Sequence, residues 1–463
     1  MSENNIQYTS VSDRMADFAL KLKLSDVPPE VIEHGKMLLA DTFGVALSCQ
    51  DLPHAKAVAK AIEEMGVSAQ CTMWAGGRKA SLADAVLYNS CLIHGADYDD
   101  THVSSIVHPS AAVVAAAMTA GELTGADGEE MFCAMVAGWE IVVRLGLAAE
   151  GIFHDVGYHG TAIVAPFAAA CVMGKLLKLP KEVIVNALGI CGSQAAGLQE
   201  FLHDGSWVKK IHPGWGCHSA AYALMMAKNG FLGPLKVLEG GFGLYQTHVG
   251  KTDAIEHVMD DLGEKWLTCD ITFKMYPVCH MAHSFIDCVK RIVRSNSLKP
   301  DDIKDVECRI ETRCYGIICS PDEVKKRPQN DYMMRFSLPY VVAAAIIKGN
   351  VSPWEIDPKY ASEPEMMAMM DKVTCIDDES KRNPGHFPGW VKITLNDGRV
   401  FTEDQRFELG SEDNPVKFSD VMDKFSANLS ALYSKDQIDR LSQLIKGFDG
   451  LPSAAPLLEA MRV

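Results

Sequence analysis

From Val11 to about Lys265, apolar residues, chiefly Ala, Leu, Val and Met, recur at helical spacing and are broken only at short Gly, Pro and Asp turns. This half reads as nearly all helix. The Ala-rich faces at Ala111–Ala120, Ala162–Ala170 and Ala220–Ala227 carry little bulk, so their helices can approach closely, as the central members of a large bundle do. After Trp266 the period changes. Val306-Glu-Cys-Arg-Ile-Glu-Thr alternates with period two, and Gly389 to Phe401 reads as a hairpin turned at Asn396-Asp397-Gly398. His283–Val293 and Ser337–Ile347 read as helices between these strands, and Phe418–Ile445 returns to helix. The expected architecture is mainly α with a smaller α+β domain: a helical domain over 1–266, an α+β lid over 267–397, and a segment over 398–463 that rejoins the helical domain. There is no internal repeat and no low-complexity tract.

A chain of 463 residues, 48% hydrophobic, has room for two or three domains with buried cores. A net charge of −16 argues against a nucleic-acid partner, which requires a basic face. It does not exclude an anionic substrate, because a local cluster of Lys and His in a cleft outweighs distant, screened surface charge. The fourteen cysteines are scattered from Cys49 to Cys375 without a C-x-x-C pair, which predicts reduced thiols in a cytoplasmic protein. Met1–Leu24 is polar where a secretory signal would be apolar. The run Thr161–Gly174 is too short to span a membrane, and Phe132–Gly146 is interrupted by Glu140 and Arg144, so no membrane association is expected.

The densest chemistry lies in His94-Gly-Ala-Asp97-Tyr98-Asp99-Asp100-Thr101-His102, followed by His108-Pro109-Ser110, between two apolar segments. On a helix, Asp97 and Thr101 would share a face, with His94 a turn back. His108-Pro109-Ser110 is a helix-start signal for the Ala/Val run that follows. Four further segments concentrate cations or histidines: Gly157-Tyr-His159-Gly-Thr161, Gly205 to Trp215 with Lys209, Lys210 and His212, Lys274 to His283 with Cys279 and His280, and Arg327 to Arg335.

Metal binding by Asp97, Asp99, Asp100, His102 and His108 lacks any tight ligand spacing, and three near-adjacent acids on one helix cannot all reach one ion. Cys279 beside His280 is a possible nucleophile, although a buried structural thiol is the commoner role. Glu239-Gly-Gly-Phe-Gly243 is not a dinucleotide fingerprint and reads as a flexible loop near a cleft. Lys and His with a few acids suit proton transfer next to a carboxylate, since His supplies a base near neutrality and Lys a fixed counter-charge.

Together these segments resemble the MmgE/PrpD family, over nearly the whole chain. The resemblance rests on D-x-D-D-T at Asp97–Thr101 followed by H-P-S at His108–Ser110, on G-[FY]-H at Gly157–His159, on K-x-x-H-x-G-W at Lys209–Trp215 and on K-x-[FY]-P at Lys274–Pro277. It implies a homodimer of subunits with a helical domain and a smaller lid, and no cofactor or metal. The family includes 2-methylcitrate dehydratase, cis-aconitate decarboxylase and iminodisuccinate epimerase. Carried over by position, the catalytic set is Asp97, Thr101, His108, His159, Lys209 and Lys274. His102, Lys210, His212, Cys279, His280 and Arg335 are the substrate-binding candidates. The chain departs from the decarboxylase pattern at Cys279, where that pattern has histidine, and a tyrosine expected before Arg335-Phe336-Ser337 falls on Tyr315 or Tyr332. The expected activity is a lyase on a small di- or tricarboxylic acid, dehydration first, with epimerisation or decarboxylation as alternatives. A carboxylate-binding protein without turnover is the non-enzymatic alternative.

Overall fold

A computed structural model describes residues 9–66 and 68–462. Its helical body is built around three buried helices, Ser110–Thr124, Gly128–Leu147 and Gly160–Leu176, which carry almost no polar face. Close packing is what their small residues permit. A Cβ on Gly138 would lie 2.5 Å from Val172 and 2.9 Å from Val113, and one on Gly214 would lie 2.6 Å from the Leu87 carbonyl oxygen. The second contact seats Val208–Lys228 against Leu82–His94. Each large aliphatic side chain buried here contributes roughly 1.5–3 kcal/mol.

One core joins the helices of residues 11–273 to Val421–Met461, so the C-terminal helices Phe418–Leu429 and Lys435–Lys446 do return to the body. A second core holds Tyr276–Leu395 with Val103 and Phe201. Its sheet has the order Val373–Asp377, Ile303–Ile310, Gly389–Leu395, Val400–Gln405, the first pair parallel and the others antiparallel. The helices His283–Asn296 and Leu338–Lys348 pack in the same core, as their patterns predict. The hairpin turns at Asp397-Gly398, with Gly398 at φ 91°, a conformation only glycine adopts freely.

Three expectations need correction. The lid does not end at residue 397, because Val400–Gln405 is its edge strand and the return to helix starts at Phe418. Nor does it begin at 267: Ile271 and Phe273 lie in the body core and Tyr276 in the lid core, which puts Lys274 on the seam. Asp97 and Thr101 do not share a helix. The helix Leu82–His94 stops before Gly95, Asp97 takes a left-handed turn (φ 49°), and Thr101–His102 pairs as a short strand with Ile271–Thr272. Between Gly95 and His102 the apolar residues, Ala96 and Tyr98, stand two apart rather than three or four, so no helical apolar stripe holds this run against the core. Among the described residues, no helix is long and apolar enough to cross a membrane.

Candidate active site

Where the two cores meet, a small pocket of about 70 Å³ is lined by Asp97, Thr101, His108, His159, Lys209 and Lys274 from the body and seam. Cys279, His280, Met281, Ile317, Phe336 and Phe387 line the opposite side. All six catalytic candidates therefore share one pocket.

Asp97 is the electrostatic centre. Its Oδ1 accepts from Lys209 Nζ at 2.7 Å and from Lys274 Nζ at 3.0 Å, and its main-chain oxygen accepts from Lys274 at 3.1 Å. Burial alone would raise this carboxyl, but Lys209, Lys274 and His108 outweigh it and hold Asp97 well below the ordinary carboxylate range. Burial would lower Lys274, and Asp97 with Asp99 reverses that. Both ions are thus charged together. Lys209 makes one of its three possible hydrogen bonds here and lies 5.0 Å from the Phe336 ring centre, so it is the cation with donors to spare.

The histidines are fixed from behind. His108 Nδ1–H donates to the Asp100 carbonyl at 2.8 Å and lies 3.1 Å from Thr101 Oγ1. Since a carbonyl only accepts, the hydrogen sits on Nδ1 and the Nε2 lone pair is left free. The His108 amide donates to Thr161 Oγ1 at 3.0 Å. His94 Nδ1 is 2.7 Å from Asp99 Oδ2, and His159 Nδ1 is 3.1 Å from His212 Nδ1. The His94, His108 and His159 rings have centres 5.0–6.0 Å apart. Burial, reinforced by nearby lysines, depresses His108 and His159 well below the usual imidazole value and His212 to about 3, so these rings are neutral at pH 7.

Several buried polar atoms here have no hydrogen-bond partner among the described residues: Asp97 Oδ2, Asp99 Oδ1, His94 Nε2, His159 Nε2, both ring nitrogens of His280, and Tyr332 Oη. Such groups are costly to leave unsatisfied, and their concentration around one chamber is the signature of a polar ligand's place.

Not every candidate belongs to this pocket. His102 is turned into its own loop, with Nδ1 2.9 Å from Ser105 Oγ. Lys210 reaches Asp331 at 3.2 Å and His54 at 3.4 Å, on the wall of a separate cavity. Arg335 Nη1 donates to the Ala96 and Pro277 carbonyls, so it staples the Asp97 turn to the Lys274 segment rather than binding substrate. His212 supports His159. Cys279 does line the pocket, but burial and Asp97 push its thiol up to about 11, which removes it as a neutral-pH nucleophile. Of the two tyrosines, Tyr332 is buried, stacks 4.9 Å from Phe336 and feels Asp97, whereas Tyr315 packs at the edge of the lid core. The Glu239–Gly243 segment packs near the first helix, where Val11 N–H donates to Glu239 at 3.3 Å, and not at the cleft. The sequence motifs assign no catalytic or binding role to His94, His154 or Phe201, and weigh Asp99 only as a metal ligand. His94 and Asp99 were visible as a histidine and an acid beside Asp97.

Among the described residues, no group of three or more His, Cys, Asp or Glu side chains is arranged to hold a metal ion. The acids are engaged by lysine and histidine instead.

The MmgE/PrpD N-terminal domain matches residues 13–256 and the MmgE/PrpD C-terminal domain residues 276–449. The chain belongs to the MmgE/PrpD family. The family's C-terminal domain takes in helices that fold against the body, so its sequence boundary and the two cores do not coincide. Among its relatives, the cis-aconitate decarboxylase-like protein oryM of Aspergillus oryzae is 23% identical, covering 97% of this chain and 96% of its own. The cis-aconitate decarboxylase of Homo sapiens is 24% identical over 98% and 95%. The 2-methylcitrate dehydratase of Escherichia coli is 21% identical over 88% and 87%. These relatives are lyases, and the chain is an enzyme of that type.

Proposed function

We propose that the chain removes water from a small hydroxylated di- or tricarboxylic acid, with His108 as the base. The observation that carries this reading is the His108 tautomer, held by the Asp100 carbonyl so that a neutral Nε2 lone pair is available in a pocket whose cation is Lys209. Lys209 binds a substrate carboxylate, which the Asp97 pair holds in place. His108 Nε2 takes the proton from the carbon beside that carboxylate, and the C–H electrons form the double bond as the C–O bond to the neighbouring hydroxyl breaks. The imidazolium returns its proton to the departing oxygen, and water leaves. In the tautomer in which His212 donates to its Nδ1, His159 carries its own hydrogen on Nε2 and gives it to the charge that builds on the carboxylate; a neutral imidazole suits that role. Thr101 and Asp100 keep the His108 ring in register.

Decarboxylation is the second reading, favoured by the near full-length match to proteins named cis-aconitate decarboxylase and by His280, which lines the pocket one position after Cys279 with both ring nitrogens unengaged. Loss of carbon dioxide requires a proton delivered to carbon, and the neutral rings here favour taking a proton instead.

The test is a proton NMR time course in deuterated water with 2-methylcitrate, citrate, cis-aconitate and an aspartate-derived dicarboxylate. Loss of water from a hydroxy acid is the expected result. Loss of carbon dioxide moves the assignment to the second reading, deuterium exchange with inversion identifies an epimerase, and binding without turnover sinks the enzymatic proposal.

A homodimer completes the proposal. The outer face of Val208–Lys228 places Val208, Trp215 and Tyr222 at seven-residue spacing, 43–54% exposed, on a helix whose other faces are mostly buried in the body. A stripe of this kind supports a second copy as its partner. Trp215→Glu should shift the light-scattering mass from dimer to monomer; a wild-type monomer would remove the dimer.

A further inference from the structure

A second and larger cavity, about 600 Å³, lies between body and lid and shares no lining residue with the pocket above. Four stretches of chain form the wall between them, and in each, neighbouring residues face opposite chambers. Asp97, Lys209, Lys274 and Phe336 line the small one; Ala96, Lys210, Met275 and Arg335 line the large one.

The large chamber is apolar with a polar end. Leu52, Tyr98, Met275, Val351, Ile356 and Leu432 supply the apolar wall, and Trp207 and Trp354 stand half-exposed at its rim. Lys210, Arg335 and Asn428 are all more than nine-tenths buried and line the same space. Arg335 Nε and Asn428 Nδ2 have no acceptor among the described residues. Lys210 donates to Asp331 and His54 and keeps a third hydrogen. The acids facing the cavity are already paired: Asp331 with Lys210 and, at 4.0 Å, Arg335, and Asp51 with Lys56. Two buried cations against one buried-side acid leave one positive charge, together with donors that lack acceptors. A buried arrangement of that kind is expensive unless an anion completes it.

We propose that this cavity is a second binding site, distinct from the reaction pocket, for an apolar monocarboxylate: a carboxylate on Lys210, Arg335 and Asn428, and an aromatic or branched body between the apolar wall and the two tryptophans. The site does not depend on the reaction assigned to the first pocket. One charged head matches the net charge, a cavity of about 600 Å³ has ample room for a substituted ring, and a dianion would exceed the available counter-charge.

The experiment is calorimetric titration with 4-phenylbutyrate and with 4-phenyl-1-butanol, alongside tryptophan fluorescence. The proposal requires one saturable site per chain for the carboxylate and binding at least about ten-fold weaker for the alcohol, the loss of one charge-assisted contact. Ala431→Trp, at the cavity edge, and Asn428→Leu should each weaken the carboxylate by about ten-fold or more, while His108→Gln leaves it unchanged. Circular dichroism and the thermal midpoint establish that each variant folds. No saturable binding, equal binding of acid and alcohol, undiminished binding in both cavity variants, or loss in His108→Gln would each overturn the second site.

Discussion

The two walls of the reaction pocket are built on different principles. The body wall is ionic, and each of its side chains is anchored from behind through one atom while another stays free: Asp97 to two lysines, His94 to Asp99, His108 to the Asp100 carbonyl, His159 to His212. The lid wall is mostly apolar, through Met281, Ile317, Phe336 and Phe387, and its imidazole, His280, has no hydrogen-bond partner among the described residues. A preorganised wall can stabilise developing charge without rearranging, and an apolar wall with free polar atoms can shape the pocket to a particular substrate. The difference assigns chemistry to the body and selection to the lid.

The sharpest break is His108→Gln, which removes the base while keeping a hydrogen-bond donor; kcat should fall by about 10³–10⁴ with folding intact by circular dichroism. Asp97→Asn comes next. It leaves Lys209 and Lys274 buried without their anion, so turnover should fall by about 10² or more and urea unfolding should show a loss of about 3–5 kcal/mol, in keeping with a broken buried ion pair. On the lid side, His280→Gln should change kcat by less than about five-fold on the best substrate yet alter the ratio of kcat/KM between acids by about ten-fold. Equal damage from His280→Gln and His108→Gln would erase the distinction between the walls.

Titration separates the groups more gently. His108 and His159 are depressed below the free imidazole value, so each contributes stability and activity in its neutral form, present above about pH 6.5 and lost as the pH falls through its lowered value. The rate should be flat from about pH 6.5 to 8 and decline only on the acid side, with no limb near neutrality. Asp100 is the reverse case. Burial, with Asp99 and Asp41 nearby, pushes it up to about 8, so the proton it retains favours the fold at low pH and that contribution is lost as the pH rises through 8. Asp100→Asn should flatten the fall in unfolding free energy between about pH 4 and 8, measured by urea titration.

Much of this arrangement was legible before any coordinates. The helical half, the strand at Ile303–Ile310, the hairpin at Asp397-Gly398 and the helix start at Ser110 follow from local period and turn chemistry. Asp97, Thr101, His108, His159, Lys209 and Lys274 carry motif positions and converge as expected. The irregular path of the Asp97 turn was not legible, because a left-handed aspartate is held by tertiary ties, here the Arg335 bonds to Ala96 and Pro277, that leave no local pattern. For the same reason adjacent residues were misassigned. Lys209 and Lys210 look equivalent in sequence, but a helix turns consecutive side chains about 100° apart, enough to face different chambers. The domain boundary at 397 failed because it fell in the hairpin's own turn and cut off its second strand, Val400–Gln405, which pairs with Gly389–Leu395.

The claim that the body wall performs the proton transfer is tested most directly by deuterium wash-in at the carbon beside the carboxylate, compared among wild type, His108→Gln and His280→Gln on whichever acid the wild type turns over. The account predicts wash-in reduced at least about 10³-fold in His108→Gln and within about five-fold of wild type in His280→Gln. Wash-in at the wild-type rate in His108→Gln, with loss in His280→Gln, would place the base on the lid and contradict it.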